Sequence, residues 1–206
     1  MSNMQRFLFF IDGVSTAVGK LFAWCIVILT GVVCYEVFVR YALGRPTTWA
    51  YDMSYIMYGT LFIMAGAYAL ARNSHVRADI VYRLLSVRAQ AGLDLVLYLV
   101  FFFPGIIALV YSGYGFARLS WMINEHSTFS PNGPPLYHFK TLIPLAGAFL
   151  FLQGLAETIR AIIALRTGAW PRRPHDVEEL EAQILAKVQE APGAQADTEM
   201  PEKKTL

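Results

Sequence analysis

WAYDMSYIMYGTLFIMAGAYALA, residues 49–71, carries one charged side chain, Asp52. A helix that crosses the ~30 Å hydrocarbon core of a bilayer needs about 20 mostly apolar residues at 1.5 Å each, so this stretch is long enough to span. It runs without a pause into ARNSHVRAD, residues 71–79, which brings a histidine, two arginines and an aspartate. The helix must therefore leave the hydrocarbon at about Ala71, and the rest of the chain has to fit a membrane protein.

The composition agrees. The 206 residues are 56% hydrophobic and 16% charged, with a mean hydropathy of +0.43, more apolar surface than a soluble domain of this size can hide. A net charge of +2, with no basic patch interleaved with aromatics, gives no footing for a nucleic-acid partner. The only two cysteines, Cys25 and Cys34, are nine positions apart and so fall on opposite sides of a helix. They form neither a disulfide nor a metal pair with each other and are expected to be small core residues.

Three further stretches qualify as spans, giving four in all: about 21–39, 49–71, 93–116 and 142–165. The fold class expected is an all-α membrane protein, with four transmembrane helices plus interfacial amphipathic helices. Residues 1–19, interrupted by Asp12 and Gly13, are expected to lie at the interface as a turn of helix, because they are too short and broken to span. They do not resemble a secretion signal, since Glu36 and Arg40 follow the first span where small residues should precede a cleavage site. From Val76 to Ala91, Val76, Ile80, Leu84 and Val87 form an apolar stripe opposite Asp79, Arg83, Ser86 and Gln90. This predicts an interfacial arm over 76–91, capped by Ser74 and broken by Gly92 before the third span. Arg77 and Arg88 lie near the stripe and must snorkel or find a partner; with Arg83 they are well placed for anionic lipid headgroups.

Lys and Arg concentrate on one side of this topology. Arg6, Lys20, Arg72, Arg77, Arg83, Arg88, Arg166, Arg172 and Arg173 fall there, against Arg40, Arg45, Arg118 and Lys140 on the other. The charge asymmetry predicts that both termini are cytoplasmic. Ionisable groups are sparse at mid-span. Glu36 and Arg40 are spaced for a local ion pair, Asp52 for the dipole of a first helical turn, and Gln153 for an interhelical hydrogen bond. Asp94 and Glu157 fall near span ends, at depths where water or headgroups are within reach. Pro104 and Gly105 predict a kink in the third span. Gly59, Ala65, Gly66, Ala69, Gly113 and Gly115 suit tight helix contacts. His75, His126, His138 and His175 all fall outside the spans, which disfavours a haem pair across the bundle. No phosphate loop, nucleophile elbow or metal-ligand spacing occurs in the sequence.

Several pieces become specific in combination: RYALGRPTTWAYD after the first span, GAYALARNSHVRADIVYRLL after the second, and PLYHFKTLIPLAGAFLFLQGLAETIR at the fourth. Together they resemble the small membrane subunit, the DctQ family, of tripartite ATP-independent periplasmic (TRAP) transporters, over about residues 20–165. The resemblance covers the membrane domain, 20–166, which follows the 1–19 interfacial segment; outside it, 167–206 form a cytoplasmic tail in which Val177, Leu180, Ile184 and Val188 at helical spacing predict a short helix before a polar, disordered end.

It also implies a multi-pass protein of the bacterial inner membrane, without catalytic or cofactor sites of its own. That protein serves as stator for a large DctM-like elevator subunit, which is fed by a periplasmic substrate-binding protein and imports organic acids with sodium coupled in the large subunit. Arg40, Tyr41, Pro46 and Trp49 match the family's first signature, and His75, Val76 and Asp79 the second. They are expected to fix the first turn and the arm or to touch the large subunit. Asp52 stands where the family pattern leads one to expect Glu, which keeps the charge but shortens its reach. Two other readings stay open at this stage: an independent small carrier, and a membrane anchor of a redox complex.

Overall fold

A computed structural model describes residues 3–72, 82, 84–131, 133–171 and 173. The chain divides into two units, Met1–Pro171 and Arg172–Leu206; only Arg173 of the second is described, so the expected tail helix lies outside the described residues. In the first unit the elements are α1 (Asn3–Ala23), α2 (Cys25–Ala42), α3 (Ala50–Ala71), α4 (Val87–Leu97), a π-helical turn (Tyr98–Phe102), α5 (Phe103–Met122) and α6 (Tyr137–Thr167). Four helical runs are long and apolar enough to cross a membrane: Met4–Ala42, Ala50–Ala71, Val87–Met122 and Tyr137–Thr167. The all-α, four-span class expected from hydropathy is what the chain adopts. No strand occurs among the described residues; one isolated bridge joins His126 to Pro135.

The most extensive helix interface is between α5 and α6, and α3 packs against α1, α2 and α6. Small residues make these approaches close. A methyl group on Gly113 of α5 would stand 2.9 Å from Ile143 Cγ2 and 3.3 Å from the Pro144 nitrogen of α6. Gly59 and Gly66 likewise face Phe139 and Leu150, whereas Gly115, grouped with them on composition, has nothing near it. Between helices in lipid the hydrophobic effect is weak, so backbone proximity is a main source of packing energy.

Three expectations need correction. The N-terminal segment is longer than a turn of helix: α1 is a 21-residue helix that meets α2 across the single residue Trp24, and Asp12, expected to interrupt it, is buried within it. Gly92 does not end the arm. The helix begins at Ser86, whose hydroxyl accepts from the Ala89 amide, and passes through Gly92 into the third span. An interior glycine costs only ~1 kcal/mol relative to alanine, too little to stop an apolar run. Cys34 is exposed and Cys25 half-buried, because α2 buries only Val39. Of the arm, residues 73–81 and 83 lie outside the described residues.

At the third span, the expected distortion takes the form of a π-turn immediately before Pro104. The Phe103 amide reaches back five residues to the Tyr98 carbonyl. Proline cannot donate to the carbonyl four residues earlier and clashes with it; the wider turn accommodates both faults without breaking the helix.

Candidate functional site

The first signature sits on the turn between α2 and α3. Gly44, at φ +63°, ends α2 in the left-handed conformation that favours glycine, and the Arg45 amide closes back on the Val39 carbonyl. Glu36 then ties the turn. Its Oε1 accepts from Arg40 Nε at 2.9 Å and from the terminal guanidinium nitrogen at 2.5 Å. Its Oε2 accepts from the Thr47 amide at 3.0 Å and from the Thr47 hydroxyl. The Glu36–Arg40 pair expected from spacing is thus present and also holds the loop. Pro46 lies within that turn and is exposed. Tyr41 is exposed, and Trp49 forms the N-cap of α3 with its ring stacked on Tyr35, centroids 6.0 Å apart.

Asp52 does not work as a dipole residue alone. It is fully buried and accepts from the hydroxyls of Ser127 and Ser130, both on the connection between α5 and α6. Ser130 also donates to the Thr48 carbonyl. The short aspartate therefore reaches a loop and not a neighbouring helix. That connection, residues 123–136, is stitched by the Ser127 amide to the Pro134 carbonyl at 3.0 Å and the Leu136 amide to the Glu125 carbonyl at 2.9 Å. Lys140 Nζ meets Glu125 Oε2 at 2.5 Å, and hydrogen bonding to the Lys140 ammonium holds the Glu125 carboxyl below its ordinary value. Trp121 donates to the Thr141 hydroxyl at 2.9 Å and lies against Tyr137.

At the opposite end of the bundle is a cluster that local sequence reading passes over. Asp12 of α1 accepts from both terminal guanidinium nitrogens of Arg160 on α6 and from Gln153 Nε2 at 2.9 Å. Gln153 Oε1 accepts from Ser15 at 2.8 Å, and Arg160 donates to Glu157 at 2.5 Å. Gln153 makes the interhelical bond expected of it. Glu157 does not reach water as its position near a span end implied; it, Asp12, Ser15, Gln153 and Arg160 are all buried. The available signal was the Gln-x₃-Glu-x₂-Arg spacing, which places all three on one face of α6.

At that same end, Tyr82 donates to Asp94 at 2.8 Å, and Gln90 donates to the Tyr82 and Leu85 carbonyls. Arg88 is exposed beside Gly168, the left-handed cap of α6. His75, Val76, Arg77, Asp79 and Arg83 lie outside the described residues. The structure thus brings Arg40, Pro46 and Trp49 to one turn, joins Asp52 to the 123–136 connection, and leaves Arg88 apart from both.

No curated protein matches the chain. The family profile described as "Tripartite ATP-independent periplasmic transporters, DctQ component" matches residues 29–164, about two thirds of the sequence. The chain therefore belongs to the DctQ family, the small membrane component of tripartite transporters that also comprise a large membrane component and a periplasmic binding component, and it is a multi-pass inner-membrane protein.

Proposed function

We propose that this chain is the non-catalytic stator of a sodium-coupled importer of organic acids, holding the fixed scaffold of the large DctM-like subunit while that subunit's transport domain moves. Sodium coupling and solute selection belong to the other two components in this reading. Both termini are cytoplasmic, the 43–49 and 123–136 connections face the periplasm, and Arg77, Arg83 and Arg88 meet anionic headgroups.

The observation that carries the reading is an aromatic face on α3. Tyr51, Tyr55, Tyr58 and Phe62, at 48% to 74% exposure, recur at helical spacing along one side. The Tyr55 and Tyr58 hydroxyls make no hydrogen bond among the described residues. Tyr58 is the ninth residue of α3, about 12 Å from its start at 1.5 Å per residue, too deep for its hydroxyl to reach water. Lipid tails offer such a group no partner, whereas a protein surface supplies acceptors. A face of this kind is better covered by another subunit than by lipid.

Co-expression with the large component of the same transporter tests the proposal. The two should leave the membrane as a one-to-one complex. Tyr55→Leu with Tyr58→Leu, which suits lipid better, should lower recovery of the large component, as should Arg40→Ala or Trp49→Ala. Solute uptake by this chain alone in liposomes would sink the stator role.

A further inference from the structure

The attachment of α1 calls for a reason beyond packing. Leu8, Ile11, Asp12, Ser15 and Gly19 recur at three- and four-residue intervals, so they share one face of α1. Leu8 and Ile11 pack on Ala156, Ile159 and Ile163 of α6. Asp12 and Ser15 enter the Gln153–Glu157–Arg160 cluster, and Gly19 passes so close to Tyr68 of α3 that any Cβ there would collide with it. The polar members are at most 3% exposed. Asp12 and Arg160 are 148 positions apart in sequence, so their pairing has to wait until the last span is in place.

The bilayer by itself does not set the position of α1 along α6. Met4–Ala42 is one helical run of 39 residues, about 58 Å at 1.5 Å per residue, roughly twice the hydrocarbon thickness. Its longest uncharged stretch, residues 21–35, is bounded by Lys20 and Glu36, which keeps that stretch in the core but does not say how α1, before it, lies against the other helices. A buried charge pair does not permit sliding, since a shift of one turn strands a carboxylate and a guanidinium away from each other.

We propose that Asp12, Arg160 and Glu157, with Gln153 and Ser15, form a register latch. It closes after α6 has inserted and fixes α1 in one position along that helix. The latch belongs to this chain alone and does not depend on the stator reading. Once closed it also braces α3, through the contact of Gly19 with Tyr68.

The test uses the full chain in native membranes with its transporter partners, with Cys25 and Cys34 replaced by alanine and Leu8→Cys and Ala156→Cys introduced. Copper phenanthroline oxidation should bridge the introduced thiols, read as an intact-mass change after alkylation. Asp12→Asn and Arg160→Gln should each reduce bridging about a hundredfold or more, the scale expected when one member of a buried pair is removed. The exchange Asp12→Arg with Arg160→Asp keeps one guanidinium and two carboxylates in the cluster, and should restore at least half of the bridging. Bridging in Asp12→Asn at the parent level, or an exchange variant no better than the single changes, overturns the latch. If the single variants do not accumulate, the exchange variant decides alone: bridged, it supports the latch; unbridged, it refutes it. Failure of the parent pair to bridge refutes the docked position of α1 itself.

Discussion

Removing the Asp52 carboxylate should open the 123–136 connection without unfolding the bundle. Asp52→Ala deletes the acceptor of two buried serine hydroxyls. Hydrogen bonds to a charged group contribute ~1.5–3 kcal/mol each. Ser130 retains the Thr48 carbonyl, so its loss is at the low end of that range, while Ser127 keeps no other acceptor for its hydroxyl among the described residues. The sum is about 3 kcal/mol, on the order of a hundredfold in the opening equilibrium. The Ser127 and Leu136 amides, bonded to Pro134 and Glu125 across the loop, report that opening. Hydrogen exchange followed by mass spectrometry in nanodiscs should accelerate about a hundredfold over 123–136 and stay unchanged in the middle of α5. Asp52→Asn should accelerate exchange by only about tenfold, because an amide can accept from one serine and donate to the other. If Asp52→Ala exchanged at the parent rate over 123–136, the carboxylate would not be the anchor, and the loop would owe its order to its own backbone bonds.

Two further outcomes are expected. The Glu125 carboxyl is held below its usual 4.5 by Lys140, so the stability it lends the loop is complete above that pH and is lost as pH falls through the lowered value. Trp121 emission in nanodiscs should change below about pH 4.5, and Lys140→Met should abolish that change. Gly113→Ala places a methyl 2.9 Å from Ile143 Cγ2 and 3.3 Å from the Pro144 backbone; it should destabilise the α5–α6 pair by ~1–3 kcal/mol, read as a lower thermal midpoint, whereas Gly115→Ala, which faces open space, should be neutral.

The four spans were legible because hydropathy over twenty residues needs no knowledge of what the chain folds against. The Glu36–Arg40 pair was legible for the same reason: both partners lie on adjacent turns of one helix. Asp12 was read as an interruption because its partner stands 148 positions away, and a charge without its partner looks like a reason for a helix to stop. Asp52 was assigned to its own helix terminus, since the serines it binds lie on a loop 75 and 78 residues further on. Gly92 was read as a breaker by its intrinsic propensity. In the fold the nearest atom to its missing side chain is Leu165 Cδ1 at 4.0 Å, and the surrounding apolar run outweighs the preference of one residue.

The strong polar contacts gather at the two ends of the bundle. At one end Glu36 ties the α2–α3 turn, Asp52 ties α3 to the 123–136 connection, and Lys140 ties that connection to α6. At the other, 23 residues along α6 from its start, Arg160 ties α1 to α6, while Gly19 seats α1 against α3. Van der Waals fit between small residues at mid-span by itself leaves helices some freedom to slide past one another. Pinning both ends removes that freedom: a shift of α3 along α6 must strip Asp52 of its serines, and a shift of α1 must break a buried ion pair. The proposed stator role calls for this resistance to shear. In the proposed complex the load passes through exposed faces such as the tyrosine row on α3, so weakening either end of the bundle should loosen the complex.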